Sequence, residues 1–475
     1  MTHCNDGSID GPAPIVVVGG GMVGCVAAMY LARRFGRVEV LERDTAVKRA
    51  EGHTARSLTV ILSARGWRVL DDLGLAERVR ALCLPLGGRL AHRPDGSQQY
   101  TAYGRHGQRI WSVRRDRLHR LLVSATAATS GVRMHHGIRV QAVDLDGPSV
   151  TVDENGRMRR IPCARVIGCD GVHSVVRSAL VAAGARQTVR QLSLGYKEID
   201  VSDAEEWRHP RTAFHYWPRG QALFGAFPDI EGGYNGSLFL PLSDGPDNFA
   251  GLTSPAVPML FAERFSDLTA RIAGLEEQFR DRPTSAITTT GCDRWHHSDT
   301  TVLLGDACHA MAPFMGHGMN CGFEDARVLD ECLAAAGDWA SALKAYERRR
   351  RPDVEAIVRI SHDHYRTLSR GPHRADRTEA VLDRLSRLLP EPRFDPLYER
   401  CAFSHDSYAT VLSDARAARH LADSLLAAHG PRLLEGPDET FRAAARALTA
   451  VQPHPLQSVP DGGIHARGAL PNPLD

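Results

Sequence analysis

Three glycines near the start of the chain have the spacing needed to hold a diphosphate. Gly19, Gly21 and Gly24 form a G-x-G-x-x-G pattern. In such a pattern the first glycine permits a tight turn, the second lets the backbone approach a pyrophosphate, and the third allows close helix packing. Glu42, about 20 residues further on, is placed to accept hydrogen bonds from ribose hydroxyls. The pattern predicts a dinucleotide site, and a glycine-rich packing turn is the alternative.

The segments around these glycines predict the elements that would position them. The β-branched run Ile15–Val18 indicates a buried strand, residues 25–35 have a helical composition, and Val38–Glu42 indicates a second strand. This β-α-β order places the glycine turn at the N-terminus of a helix, where a pyrophosphate binds. The uncharged run 15–32 approaches the roughly 18 to 20 residues that span a bilayer. Its glycine cluster argues against that alternative.

Two later aspartates narrow the choice of dinucleotide. Asp170 and Gly171 follow a predicted strand, and Asp306 follows another. A second aspartate that reaches a ribityl hydroxyl is needed for FAD and not for NAD, so Asp306 favours FAD. The alternative for Asp170 is a solvated turn residue.

A glycine-rich segment at 316–320 opens a predicted helix. The free backbone N–H groups at this helix start can face the edge of a flavin ring that becomes negative on reduction. His309 and His317 are candidate proton carriers in this region. Structural histidines at a helix start are the alternative.

The remaining pattern predicts the rest of the architecture. Residues 190–245 contain several predicted strands separated by Pro and Gly turns, and the chain is helical in composition from residue 339 onward. The predicted fold class is α/β: a Rossmann-like FAD-binding domain, an inserted antiparallel β-sheet substrate domain and a C-terminal helical region. The predicted boundaries are 1–75, 104–185 and 288–340 for the FAD-binding domain, 76–103 and 186–287 for the sheet domain, 341–450 for the helical region and 451–475 for a flexible tail.

Composition and charge exclude several classes of protein. The 475 residues are enough for one large composite body or two to three domains. The 58 basic and 56 acidic residues leave a formal charge of +2, so no nucleic-acid partner is expected. Ten cysteines without a C-x-x-C pair indicate reduced thiols in the cytoplasm and no metal site. The polar N-terminal stretch is not a signal peptide, and no membrane anchor is predicted.

Several segments beyond these motifs match a known family. They are 19–24, 56–66, 84–89, 103–104, 112–115, 166–177, 215–219 and 304–325, with a weaker match at 396–398. On these segments the chain resembles the kynurenine 3-monooxygenase family of single-component FAD-dependent aromatic hydroxylases. The resemblance implies non-covalent FAD, NADPH as co-substrate, O2, and 3-hydroxylation of L-kynurenine through a flavin C4a-hydroperoxide.

The resemblance also implies roles for individual residues. Arg89 and Tyr103 match a pair that holds the carboxylate of a small aromatic amino-acid substrate, and Tyr398 matches a tyrosine that assists them. No catalytic residue is assigned, but positioning of the reactants is expected from Pro313, Phe314, Gly316 and His317. The residues assigned to FAD are Gly19, Gly21, Met22, Val23, Gly24, Glu42, Arg43, Arg56, Arg115, Asp170, Gly171, Asp306, Gly318, Met319 and Asn320.

Three positions depart from the family pattern. His317 replaces a usual glutamine, His364 falls near a usual asparagine of the amino-acid pocket, and Gly225 replaces a bulky aliphatic residue. We expect Gly225 to face the substrate between Phe224 and Phe227. Either these two rings fill the space beside the glycine, or the natural substrate is larger than kynurenine.

The sequence leaves two alternative functions open. One is a flavin hydroxylase that acts on a kynurenine or anthranilate derivative in secondary-metabolite biosynthesis. The other, of a different class, is a non-catalytic flavin-binding protein. A flavin halogenase is disfavoured because the chain has no W-x-W-x-I-P segment.

Overall fold

The computed structural model describes residues 13–45, 58–154, 156–202, 212–370 and 377–451. Within these ranges, the strands are β1 Ile15–Val18, β2 Val38–Glu42, β3 Thr59–Leu62, β4 Leu84–Leu86, β5 Gly88–His92, β6 Gln98–Ala102, β7 Ile110–Arg114, β8 Val132–His136, β9 Arg139–Asp144, β10 Ser149–Glu154, β11 Arg157–Pro162, β12 Arg165–Gly168, β13 Gln187–Val201, β14 Ala213–Arg219, β15 Ala222–Pro228, β16 Tyr234–Pro241, β17 Ser285–Cys292, β18 His296–His297 and β19 Thr301–Leu303.

The α-helices of the same ranges alternate with strands up to β19, and after β19 the regular elements are helical. They are α1 Met22–Phe35, α2 Ala64–Asp72, α3 Ala76–Arg80, α4 Arg115–Ala127, α5 Val175–Ala182, α6 Val257–Arg264, α7 Ser266–Thr269, α8 Leu275–Asp281, α9 Asp306–His309, α10 Gly318–Ala335, α11 Trp339–Arg370, α12 Arg377–Leu388, α13 Leu397–Phe403, α14 Tyr408–His429 and α15 Asp438–Val451.

A six-stranded sheet carries the predicted Rossmann-like domain. Its strand order is β18-β19-β12-β1-β2-β8, and every pair is parallel except β18 with β19. All four residues of β1 are buried, as expected for a strand between two parallel neighbours with both faces covered. The helix α1 follows β1 after three glycines, so its N-terminus lies at the carboxyl edge of the sheet. The predicted Rossmann-like fold is confirmed.

A seven-stranded sheet forms the second layer, in the order β17-β13-β16-β15-β14-β5-β6. The prediction of an antiparallel sheet needs one correction, because β14 pairs with β5 in parallel. One face of this sheet packs on helices α6 and α8 through a core that includes Trp217, Phe224, Leu238, Phe261 and Phe279. Successive side chains of β14, β15 and β16 point to opposite faces of the sheet, so those that do not enter this core lie on the other face.

Two three-stranded antiparallel sheets complete the strand pairing of the described residues. One has the order β11-β10-β9, and the other has the order β3-β7-β4.

The chain divides into two compact units, 1–373 with 398–409 and 374–397 with 410–475. All four sheets lie in the first unit, as does the whole of α11. The second unit has its own core, which includes Val381, Leu385 and Phe441. The finer domain boundaries stay a prediction. Of the predicted tail, only Val451 lies within the described residues, where it ends α15. Among the described residues, the structure contains no helix that combines the length and the apolar character of a membrane-spanning segment.

Candidate active site

A cavity of about 650 Å³ lies in the first unit, with walls from both large sheets. One end is formed by residues that follow β1, β2, β12 and β19, and the other by side chains of β13 to β16. The predicted site residues in its wall are Gly19, Gly21, Met22, Val23, Glu42, Arg43, Arg89, Tyr103, Arg115, Asp170, Gly171, Gly225, Phe227, Asp306, Pro313, Phe314, Gly316, Gly318, Met319, His364 and Tyr398.

The three glycines of the first motif differ in their surroundings. Gly19 has φ +99°, and a Cβ there would lie 2.5 Å from the carbonyl oxygen of Cys169. A Cβ on Gly24 would lie 1.9 Å from the carbonyl oxygen of Gly19, so this glycine packs the helix against the turn rather than lining the cavity. A Cβ on Gly21 would meet no atom within 4 Å. The backbone at Gly21 is therefore a bare surface at the N-terminus of α1, suited to a pyrophosphate.

Glu42 fastens the glycine turn to the second strand. Its Oε2 accepts a hydrogen bond from the backbone N–H of Gly20 at 2.7 Å, and its Oε1 accepts one from the N–H of Asp44 at 2.9 Å. His119, which the sequence reasoning missed, contacts the carbonyl oxygen of Gly20 at 2.8 Å through Nε2. These contacts hold the turn in place while the carboxylate still faces the cavity.

Asp170 and Asp306 have different environments. Asp170 accepts hydrogen bonds from the Ser174 hydroxyl at 2.5 Å and from the N–H of Val175 at 2.7 Å, which ties it to the start of α5. Its pKa is raised by burial, against these hydrogen bonds. The alternative of a solvated turn residue is therefore wrong for Asp170. Asp306 is exposed in the cavity wall at the start of α9, where its carboxylate is available to a ligand.

The start of α10 presents Gly318 and Met319 to the cavity. Asn320 does not line it, which corrects its predicted contact with the cofactor. Its side-chain N–H groups donate to the carbonyl oxygens of Ile61 at 2.7 Å and Gly316 at 2.9 Å, and its Oδ1 accepts from the N–H of Ser63 at 3.0 Å. Asn320 therefore positions the loop and the strand end that surround the cavity.

His317 is also buried behind the wall rather than in it. Its Nδ1 lies 2.7 Å from the carbonyl oxygen of Met315, and its Nε2 lies 3.2 Å from that of Cys401. Burial lowers the pKa of His317, so the ring is neutral and has one N–H to donate. This corrects the expectation that His317 positions the reactants directly: it fastens the loop that contains Pro313 and Phe314.

A buried ion network joins α9, α10 and α11. Arg350 bonds to Glu324 at 2.7 Å and to Asp325 at 2.8 Å, and Asp325 also accepts from His309 at 2.6 Å. Burial opposes ionisation of Asp325, but His309 and Arg350 lower its pKa to about 2. Of the two roles considered for His309, proton carrier or structural histidine, this ion pair favours the structural one. His309, Cys321 and Asp325 are close enough to hold a metal ion, but the Arg350 guanidinium already occupies the carboxylate and disfavours a second cation.

The far end of the cavity contains a cation surrounded by aromatic side chains. Arg89, on β5, has no ion pair or hydrogen bond with another described residue. Tyr103 and Tyr398 stack on each other with ring centroids 5.1 Å apart, and burial raises the pKa of both hydroxyls. His364 stacks on Tyr398 with a centroid distance of 5.7 Å. Burial and the charge of Arg89 lower the pKa of His364 to about 3, so its ring is neutral.

The strand β15 shows which predicted pocket residues face the cavity. Leu223, Gly225 and Phe227 line it, whereas Phe224 is fully buried in the core on the opposite face, 5.8 Å from the ring of Phe261. Successive residues of a strand point to opposite faces, so Gly225 and Phe224 cannot share one. The prediction that Phe224 contacts the substrate is therefore wrong.

The sequence reasoning missed several aromatic residues of the wall. Phe214, Tyr196 and Phe239 line the same end of the cavity. Phe214 could have been found from the strand alternation, because it lies three residues before Trp217 and therefore points to the opposite face of β14. Arg56 lies outside the described residues.

The cavity fits FAD at its nucleotide end. The bare backbone at Gly21 faces the cavity, the exposed carboxylate of Asp306 lies in its wall, and two free amides begin α10 there. These are the groups that a pyrophosphate, a ribityl hydroxyl and the polar edge of a flavin need. Arg115 in the same wall adds a positive charge.

Comparisons with known proteins place the chain in a family. The model of the FAD binding domain family matches residues 12–361. A kynurenine 3-monooxygenase of Salinispora arenicola (strain CNS-205) is 38% identical over 413 residues, covering 84% of this chain and 90% of that protein. One of Myxococcus xanthus (strain DK1622) is 36% identical over 403 residues, covering 83% and 86%.

Solved structures share the fold. The tetrameric form of 2-methyl-3-hydroxypyridine-5-carboxylic acid oxygenase has a TM-score of 0.65 at 24% identity, covering 76% of this chain and 93% of that one. Pseudomonas aeruginosa PqsL in complex with 2-aminobenzoylacetate has a TM-score of 0.61 at 22% identity, covering 76% and 97%. From the family match and the identity to its relatives, the chain belongs to the kynurenine 3-monooxygenase family of proteins with an FAD binding domain.

Proposed function

We propose that this protein is an FAD-dependent, NADPH-consuming monooxygenase that converts L-kynurenine into 3-hydroxykynurenine. Its relatives of 36 to 38% identity are kynurenine 3-monooxygenases. The observation that carries the proposal is the position of Arg89, a guanidinium without a partner among the described residues, in the wall of an otherwise aromatic pocket.

Arg89 is suited to hold the carboxylate of an amino-acid substrate. A partly buried guanidinium without a counter-ion is unfavourable, and a carboxylate that accepts two N–H bonds neutralises it. The hydroxyls of Tyr103 and Tyr398 lie beside it with raised pKa values, so both remain protonated and can donate. Neutral His364 adds no second positive charge that would compete for the carboxylate.

The rest of the pocket is suited to an aromatic ring. Phe227, Phe239 and Phe314 line the wall, and the ring of Phe314 lies 5.5 Å from that of Phe239 and 4.5 Å from that of Tyr365. Apolar rings of this kind bind a flat substrate and exclude water from the reacting atoms. The ortho amino group of kynurenine makes its ring electron-rich, so the protein needs only to position it.

Bound FAD would activate dioxygen, with two electrons from NADPH, so that one oxygen atom enters the ring and the other leaves as water. Gly21 and the start of α1 would hold the pyrophosphate, and Asp306 the ribityl chain. The amides of Gly318 and Met319 would face the ring edge where negative charge collects on reduction. His317 and Asn320 hold the loop that precedes α10 in place through their contacts with the carbonyl oxygens of Cys401 and Gly316.

The proposal includes a cytoplasmic location and a small aromatic amino acid as the only ligand besides the cofactors, with no nucleic acid. The test is to purify the protein, record its flavin absorbance, and follow NADPH oxidation together with product mass on adding L-kynurenine. The expected result is substrate-stimulated NADPH oxidation with a product heavier by one oxygen atom. A flavin-loaded protein that binds kynurenine and never consumes NADPH would instead be a flavin-binding protein, and the proposal would fail.

A panel of anthranilate and substituted kynurenine analogues tests the substrate itself. The proposal expects the highest kcat/KM for L-kynurenine. A higher value for a substituted analogue would identify the alternative enzyme, a hydroxylase of a kynurenine or anthranilate derivative.

A further inference from the structure

We propose that Phe214 sets the size of the aromatic ring that the pocket accepts, and that it does so by occupying the space beside Gly225. The inference deepens the proposed function and rests on it, because it concerns the ring of the same amino-acid substrate. It gives a specificity-determining role to a residue that no sequence motif identified.

Phe214 and Gly225 compete for one volume. A Cβ built on Gly225 would lie 2.9 Å from Cζ and 3.1 Å from Cε2 of the Phe214 ring. The shorter of these distances is below what Cβ atoms show in proteins, so any side chain at position 225 requires this ring to move. The Phe214 ring lies over position 225, where a glycine fits without such a movement. The space beside this glycine is therefore filled by protein.

Stacking holds the Phe214 ring in that place. It stacks on Phe227 with centroids 4.2 Å apart and an angle of 24°, and on Tyr216 with centroids 5.8 Å apart and an angle of 5°. Aromatic pairs at such distances stabilise each other beyond their buried area. The ring is thus a fixed part of the wall, and a substrate substituent cannot simply displace it.

Phe214 also lies next to the group that anchors the substrate. In the parallel register of β14 and β5, Phe214 is the partner of Arg89, and both line the cavity. A substrate whose carboxylate is held by Arg89 therefore extends along the face that Phe214 and Phe227 form. We infer that the pocket excludes rings with an added methyl group on this side, and that the preferred substrate class is an aromatic amino acid without one.

Four proteins test this inference: the wild type, Phe214→Leu, Gly225→Ala and the double variant. Phe214→Leu opens the wall and should raise kcat/KM for ring-methylated kynurenines relative to kynurenine by about tenfold or more. Gly225→Ala pushes against the ring, so it should lower Tm and weaken kynurenine binding, measured by titration of the flavin absorbance. In the double variant Leu leaves room for the new methyl group, so most of the Tm loss should be recovered.

Phe239→Leu combined with Gly225→Ala is the matched control, because Phe239 lines the cavity but its ring contacts are with Tyr196 and Phe314. It should give no recovery of Tm. Any of three results would overturn the inference. The control could recover as much Tm as the double variant with Phe214→Leu does, or the Tm losses could simply add in that double variant. Phe214→Leu could also leave the preference between methylated and unmethylated rings unchanged.

These results are separate from those that test the proposed function. A wild type that does not couple NADPH oxidation to kynurenine contradicts the proposed function, whereas the Tm cycle and the flavin titrations still measure the contact and the size of ring that binds.

Discussion

Arg89 offers the sharpest test of how the substrate is held. Replacing it with alanine removes a guanidinium that has no partner among the described residues, so the fold loses no ion pair. FAD content and Tm should therefore stay normal, while the carboxylate of the substrate loses its charge-assisted hydrogen bonds. Arg89→Lys should recover little, because a lysine ammonium cannot form the paired contacts of a planar guanidinium.

The expected loss follows from the energy of one charge-assisted contact. A hydrogen bond to a charged group contributes about 1.5 to 3 kcal/mol, which corresponds to a roughly 10- to 150-fold fall in kcat/KM. Because the carboxylate is held throughout the reaction, most of the change should be in KM. Arg190, an exposed arginine on the same sheet, serves as the control, and Arg190→Ala should leave KM unchanged.

The assay pairs each enzyme with kynurenine and with its decarboxylated analogue. Wild type should lose about the same 10- to 150-fold on the analogue, and Arg89→Ala should show no further difference between the two substrates. If Arg89→Ala lowers kcat/KM equally for both substrates, Arg89 acts on something other than the carboxylate and the reasoning is refuted.

Three further predictions concern the rest of the site. Gly21→Val should fold but bind no FAD, because a Cβ at position 21 meets no protein atom within 4 Å. Gly24→Val should not fold, since its Cβ would lie 1.9 Å from a backbone oxygen. Circular dichroism and flavin absorbance distinguish the two variants, and an unfolded Gly21→Val would contradict the assignment. Phe224→Ala should cost about 3 to 5 kcal/mol of stability with KM unchanged, and Phe227→Ala should raise KM; denaturant unfolding and kinetics check this, and a shared rise in KM would show that the faces are misassigned. Stability should fall as pH drops below about 6.5, because unfolded His364 takes up a proton at its ordinary pKa of 6.5 while the folded pKa is about 3; His364→Asn should flatten the fall between these values, and superimposable curves would argue against it.

The tertiary structure changed the interpretation of residues that the motifs had grouped together. Asn320 and His317 stand within the glycine-rich segment, yet their side chains bond to Ile61 and Cys401, at separations of 259 and 84 residues. The sequence shows that a polar residue is present at a helix start. Which distant backbone group approaches it depends on the packing of the whole unit, so the local pattern could not separate a cofactor contact from a structural one.

The sequence alone determined the part of the molecule that would bind the nucleotide, because the features of that part are local in the chain. The order of strand, glycine turn and helix over residues 15–42 imposes its own backbone geometry, and Gly19 takes the positive φ of 99° that the turn requires. The substrate half was decided only by tertiary structure. Whether Phe214, Phe224 or Phe227 fills the space beside Gly225 depends on the register of β14 against β15 and on which face of the sheet meets the helices. A shift of one residue would exchange those faces, and only the packed core selects between them.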